Sequence, residues 1–166
     1  ETPANNLDYW DQSDVAMITY ADTVRNNTLP PLQVLHAFLD EFCKDIVSMV
    51  HILPFFPFSS DDGFAVIDYL AVNKRHGNWD DIGEIAKNYH LMSDLVINHC
   101  SIQNQWYKNF INNQDPGKEY FFTASPNDDL SEVVRPRTNN LLKEVKTKAG
   151  IKHVWCTFSY DQVDLD

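Results

Sequence analysis

The sequence predicts an α/β fold on a parallel sheet, and three observations carry that prediction. Short runs rich in Val, Ile and Met recur with little alternation, as expected of strands covered on both faces. Stretches with helical spacing lie between them, and capping residues stand where those stretches begin. A strand–helix–strand order that repeats along the chain places the strands parallel.

"DVAMITY", residues 14–20, and "IVSMVHIL", residues 46–53, read as the first two strands. Between them Pro30 and Pro31 mark a helix start, and Leu32, Leu35, Leu39 and Phe42 repeat at helical spacing. Asn78 is placed to cap a second helix, with Asp80 and Asp81 in its first turn and Ile82, Ile85, Ala86 and Tyr89 on one face. "LMSDLVIN", residues 91–98, reads as the third strand, and Ser101 is placed to cap a helix bearing Ile102, Trp106 and Phe110. Such units fit a doubly wound sheet or the start of a barrel. Two stretches break the pattern. Residues 54–77 lack helical periodicity and far exceed the roughly 2–6 residues usual for such a connection, which points to a functional loop. From about residue 112 the chain turns polar and is punctuated by Pro116, Gly117, Pro126 and Pro136 before "HVWCTF", residues 153–158, predicts a strand. An irregular insertion with a little sheet is expected there.

Composition narrows the function. In 166 residues, 43% hydrophobic and 13% aromatic side chains suffice for a packed core. The 13 Lys and Arg against 24 Asp and Glu give a net charge of -11, which repels phosphate backbones and anionic lipid surfaces, so neither nucleic acid nor a membrane is an expected partner. No stretch approaches the roughly 18 unbroken apolar residues of a membrane helix, and residues 1–13 lack the basic start and apolar core of a signal peptide. Cys43, Cys100 and Cys156 are an odd count with no CxxC pair, and read as buried free thiols in a reducing cytosol. A chain that starts at Glu1 and stops at "FSYDQVDLD" without a cap or polar tail is expected to be a piece of a longer polypeptide.

In both α/β architectures, ligands meet the carboxyl ends of the strands. After the second strand, "PFFPFSSDDGFAVIDY" concentrates Phe55, Phe56, Phe58, Phe64 and Tyr69 beside Asp61, Asp62 and Asp68, with Gly63 permitting a close backbone approach. A sugar ring needs this mixture, because its C–H faces stack on aromatic rings while its hydroxyls donate to carboxylates. Taken alone, the loop reads as an acidic turn over a small hydrophobic core. His99, alone, reads as a satisfied structural histidine, and Asp94 as a buried acid tied to backbone amides. Zinc-ligand spacing, a glycine-rich phosphate loop and a GxSxG elbow are all missing from the sequence.

Set in order along the chain, these blocks bear a resemblance. "DLVINH" resembles the D-x-x-x-N-H signature of the α-amylase superfamily, and "HILPFFPFSSDDGFAVIDY", "GNWDDIGEIAKNYHLMSDLVINHCS" and "RPR...VWCTFSYDQVDLD" resemble its sucrose phosphorylase branch. The resemblance runs from "MITYAD" at residue 17 to the last residue. It implies the first three β/α units of a (β/α)8 barrel over residues 1–98, and a helix with an α+β domain B insertion over residues 99–166. It also implies a retaining double displacement that moves a glucosyl group from an α-glucoside to inorganic phosphate, giving glucose 1-phosphate in the cytoplasm without a metal or organic cofactor. Alternatives are an α-glucosidase or glucosyltransferase of the same superfamily, or a non-catalytic carbohydrate-binding module if the chain ends here.

Carried over by position, Asp61 would hold hydroxyls of the glucosyl ring, Phe64 would face that ring, and His99 would bind its primary hydroxyl. Gln162 would contact substrate, with Phe158 at the site edge. Arg135 and Arg137 would bring a guanidinium to phosphate or the acceptor, a task suited to its planar fork of donors. Asp94 and Asn98 would support the strand end. Asn98 matches a calcium position of many α-amylases that the phosphorylase branch generally does without. Val134 departs from the tyrosine common before "RPR" in sucrose phosphorylases, which leaves the leaving group open among fructose, fructose 6-phosphate, glycerol and glycerate. The nucleophilic aspartate and the acid/base glutamate are expected after residue 166, in the remainder of the polypeptide.

Overall fold

The computed structural model describes residues 11–135 and 137–166, which form two compact units. One comprises residues 1–53 and 74–94, of which 11 onward are described, and the other residues 54–73 and 95–166. The sequence instead predicts a single boundary after residue 98.

The first unit holds a three-stranded parallel sheet. β1 (Ala16–Thr19) pairs with β2 (Met49–Ile52), and β2 with β3 (His90–Ser93), in the order β1-β2-β3. The helix α1 (Pro31–Phe38) begins with Pro31 in its first turn, where the missing N–H costs nothing, and buries Leu32 and Leu35. It then widens into a π-helical turn over Leu39–Cys43. That turn corrects one expectation. The extra residue rotates the register, so Cys43 takes the inward place after Leu39, while Phe42 is 60% exposed and packs on Phe38 at 5.3 Å.

The helix α2 (Trp79–Ala86) starts as its sequence says it should. The Asn78 side chain accepts from the backbone of Asp80 and Asp81, and the Asp81 carboxylate reaches back to the Asn78 N–H at 2.8 Å. Asp81 also accepts from the Gln33 amide of α1 at 2.8 Å, which satisfies a buried carboxylate and ties the two helices. A Cβ on Gly77 (φ +146) would stand 2.4 Å from that carboxylate. Ile82, Ile85 and Tyr89 are buried as expected, whereas Ala86 faces solvent.

Two further differences concern the strands. The third strand stops at Ser93 rather than running to residue 98, because its ladder follows β2, which ends before Pro54, a residue with no N–H to donate. The strands are not covered on both faces either. Val50 and Ile52 are fully buried, while Ile18 and Met92, in the alternate register, are 66% and 45% exposed.

In the second unit, β4 (His99–Ser101) pairs antiparallel with β7 (Gln162–Asp164), and β5 (Leu142–Thr147) forms a hairpin with β6 (Gly150–Trp155). The helix α3 (Gln105–Asn112) is capped by Asn104, whose side chain accepts from the Trp106 N–H. Ser101, the expected cap, sits in β4, and its hydroxyl accepts from the Gln103 N–H in the turn before the helix rather than from the helix itself. The core joins Cys100, Tyr107, Phe110, Phe121, Val154, Cys156 and Val163. All three cysteines are buried free thiols, and burial pushes those of Cys100 and Cys156 up to about 12.

Candidate functional site

Three distant segments converge within the second unit. The first is a turn in the long loop, closed by the Ser59 N–H to the Ala65 carbonyl at 3.0 Å and the Ile67 N–H to the Pro57 carbonyl at 2.7 Å. At its tip Asp61 (φ 57), Asp62 (φ 49) and Gly63 (φ 113) all lie in left-handed conformations. Only glycine fits the third place, since a Cβ there would stand 2.6 Å from the Pro54 carbonyl oxygen. Aspartate tolerates that region better than most residues, but each such residue still costs on the order of 1 kcal/mol. The surrounding bonds impose the conformation, and it turns the Asp61 carboxylate onto Gln162.

Gln162, in β7, is 2% exposed, and its side chain is fully engaged. Its carbonyl oxygen accepts from the Ser159 hydroxyl at 3.0 Å, its amide nitrogen donates to Asp61 at 2.8 Å, and the same nitrogen faces His99 Nε2 at 3.3 Å. The carboxylate accepts only, so the amide must present its nitrogen to it. The second amide proton then reaches His99 Nε2, which must be the unprotonated ring nitrogen, leaving the proton on Nδ1. Burial lowers the pKa of His99 and outweighs the opposing pull of Asp164, the Phe64 backbone and Asp61, so the ring is neutral. Nδ1 is buried and has no hydrogen-bond partner among the described residues. The ring tilts against Phe158 at 4.8 Å, and the Tyr69 hydroxyl donates to the His99 carbonyl at 3.0 Å.

A second layer holds these groups. Asp164, opposite His99 in the β4–β7 register, accepts from the backbone and hydroxyl of Thr157, and burial raises its pKa. The Ser59 and Ser60 hydroxyls both donate to Asp161, and Ser59 and Ser101 share a 2.6 Å hydrogen bond. The sequence assigns no site role to Asp161, Asp164, Ser59 or Ser60, and offers Ser101 only as a helix cap.

Of the residues named from the sequence, the structure brings Asp61, His99, Phe158 and Gln162 together, with the Phe64 backbone beside His99. The others are not members of that hydrogen-bonded cluster. Asp94 belongs to the first unit, where it bonds His51 Nε2 at 2.9 Å. Asn98 is exposed, and its carbonyl accepts from the Leu165 N–H. Arg137 and Val134 are exposed; Arg135 is half-buried, with one guanidinium nitrogen, Nη1, buried and unpaired among the described residues. Pro136 lies outside the described residues. No group of three or more His, Cys, Asp or Glu among the described residues is placed to hold a metal.

A carboxylate acceptor, an imidazole and an aromatic ring thus lie together within the second unit. Comparison with known proteins takes this to a family. Residues 41–158 match the alpha amylase catalytic domain. The chain is 47% identical over 160 residues to glucosylglycerate phosphorylase of Escherichia coli (strain K12), covering 95% of this chain and 28% of that protein. It is 33% identical over 161 residues to sucrose phosphorylase of Streptococcus mutans, covering 90% of this chain and 33% of that one. It superimposes on the crystal structure of sucrose 6F-phosphate phosphorylase from Thermoanaerobacter thermosaccharolyticum with a TM-score of 0.81 at 29% identity, over 93% of this chain and 34% of that one. The chain belongs to the alpha-amylase catalytic-domain family. It spans about a third or less of the length of these relatives.

Proposed function

We propose that these residues are the N-terminal part of a retaining α-glucoside phosphorylase that uses a glucosylglycerate-type donor. The observation that carries this reading is the ranking of identity, 47% to a glucosylglycerate phosphorylase against 33% to a sucrose phosphorylase over nearly the same residues. Val134, in place of the tyrosine common to sucrose phosphorylases, agrees with a changed leaving-group side. In this reading the parallel β1-β2-β3 sheet and its helices are the first three units of a (β/α)8 barrel, the segment after residue 98 is the excursion from it, and the enzyme is cytoplasmic.

The chemistry divides between this segment and the remainder. Asp61 accepts hydroxyls of the glucosyl ring, and the neutral His99 takes its primary hydroxyl. Phe64 and Phe158 pack on its apolar faces. Gln162 acts through its neighbours, because Asp61, His99 and Ser159 already occupy its polar atoms. A carboxylate of the remainder attacks the anomeric carbon while a carboxylic acid protonates the departing glycerate oxygen. Phosphate then attacks the glucosyl ester from the opposite face, so two inversions give retention. The arginines of "RPR" meet an anion, whether phosphate or the carboxylate of glycerate, with paired charge-assisted bonds. Asp94, paired with His51, and Asn98 hold the strand end. No metal is assigned to the site.

The leaving group is tested by comparing glucosylglycerate with sucrose as donor for the full-length enzyme in the presence of phosphate. A higher kcat/KM for glucosylglycerate is expected; preference for sucrose would refute the assignment.

A further inference from the structure

Beside the His99 cluster lies a separate cavity of about 420 Å³ with no role in the chemistry above. Its walls are the loop at Ile67, Asp68 and Tyr69 and the start of α3 at Gln103, Trp106 and Lys108. Tyr69 and Trp106 stack at 5.5 Å with their planes 23° apart, giving an aromatic wall that is only half-buried. Four polar groups on the walls have no hydrogen-bond partner among the described residues. They are the Gln103 amide, the Trp106 indole N–H, the Lys108 ammonium and the second oxygen of Asp68, whose Oδ1 accepts from the Leu70 N–H.

We propose that this cavity is a second sugar-binding site, for a neutral mono- or disaccharide. The polar set selects the ligand. An anion would meet the Asp68 carboxylate and a cation the Lys108 ammonium, whereas a neutral polyol has hydroxyls that donate to the first and accept from the second. The amide and the indole N–H add further partners, and the Tyr69–Trp106 wall offers a surface for the ring's C–H groups. The volume lies within the few-hundred-Å³ range of small-ligand sites. The site also adjoins the first, since Tyr69 anchors the His99 backbone through its hydroxyl at 3.0 Å. The proposal stands independently of the reaction assigned to the enzyme.

The test follows the Trp106 indole N–H in the NMR spectrum of the 15N-labelled full-length protein, assigned by its loss in Trp106→Phe, during titration with sucrose or maltose. A saturable shift is expected, one that persists in Asp61→Ala and is weakened about tenfold or more in Gln103→Ala/Lys108→Ala, as two lost polar contacts require. A resonance unmoved by about 100 mM sugar, near the limit of weak but specific affinity, would overturn the proposal. So would a shift that vanishes in Asp61→Ala, which would place the sugar in the glucosyl site, or one unaffected by Gln103→Ala/Lys108→Ala. Gluconate and glucosamine should shift the resonance less than glucose at equal concentration; equal shifts would contradict the selection by charge.

Discussion

Replacing Gln162 with Leu keeps most of the volume of a fully buried side chain and removes its three polar contacts, at 2.8, 3.0 and 3.3 Å. The bond to the Asp61 carboxylate is charge-assisted, yet Asp61 is exposed and regains water, so it counts at the low end, about 1.5 kcal/mol. The Ser159 bond contributes about 1 kcal/mol, and the long contact to His99 about 0.5 kcal/mol. Together these give about 3 kcal/mol, felt in the transition state to the extent that Asp61 and His99 must already be aimed at the ring. At 1.36 kcal/mol per decade, kcat/KM should fall by roughly a hundredfold. The assay is glucose 1-phosphate release by the full-length variant, with its urea unfolding midpoint measured alongside. A kcat/KM within about threefold of the unmodified enzyme, in a folded variant, would refute the argument that Gln162 organises the site.

Other outcomes follow from single features. Gly63→Ala should destabilise the loop by about 2 kcal/mol or more and abolish turnover, because the added Cβ meets the Pro54 carbonyl at 2.6 Å on a backbone with φ +113. An unchanged melting temperature would contradict that. Arg135→Ala should raise KM for phosphate or for the glyceryl donor about tenfold, as loss of one charge-assisted contact does, leaving the fold intact; steady-state kinetics with each varied in turn decides, and two unchanged KM values would remove Arg135 from the site. Burial holds His76 and His99 below the ordinary imidazole value of 6.5, so the unfolded chain takes up protons first as the pH falls. Their contribution to stability is therefore full above 6.5 and is lost progressively below it. The urea midpoint should drop between about pH 7.5 and about pH 5.5, and drop less in His76→Gln; an identical pH dependence in that variant would count against a neutral buried His76.

The framework was legible where the determinants are local. The Asn78–Asp81 capping box, Pro31 in a first turn and the aliphatic runs of β1 and β2 each need only neighbouring residues. The errors arise where a non-local choice prevails. The aliphatic run predicts a third strand through residue 98, but its partner ends before Pro54. Helical spacing places Phe42 on the inner face, but the π-helical turn hands that place to Cys43. The Leu142–Thr147 strand escapes the sequence because "LKEVKT" sets Leu142 and Val145 three apart, a helical spacing, and its pairing with β6 decides the conformation. Within the site, nothing local reveals that Asp61, His99 and Gln162 meet, since about a hundred residues separate the first from the last. Family resemblance named them, whereas the bracing contacts of Asp164 and of the serine hydroxyls emerge only from the structure.

Phosphorolysis is decided by incubating the full-length enzyme with glucosylglycerate, with and without inorganic phosphate, and reading the product by NMR. α-Glucose 1-phosphate should form in step with glycerate and only when phosphate is present. Free glucose released at the same rate without phosphate would contradict it.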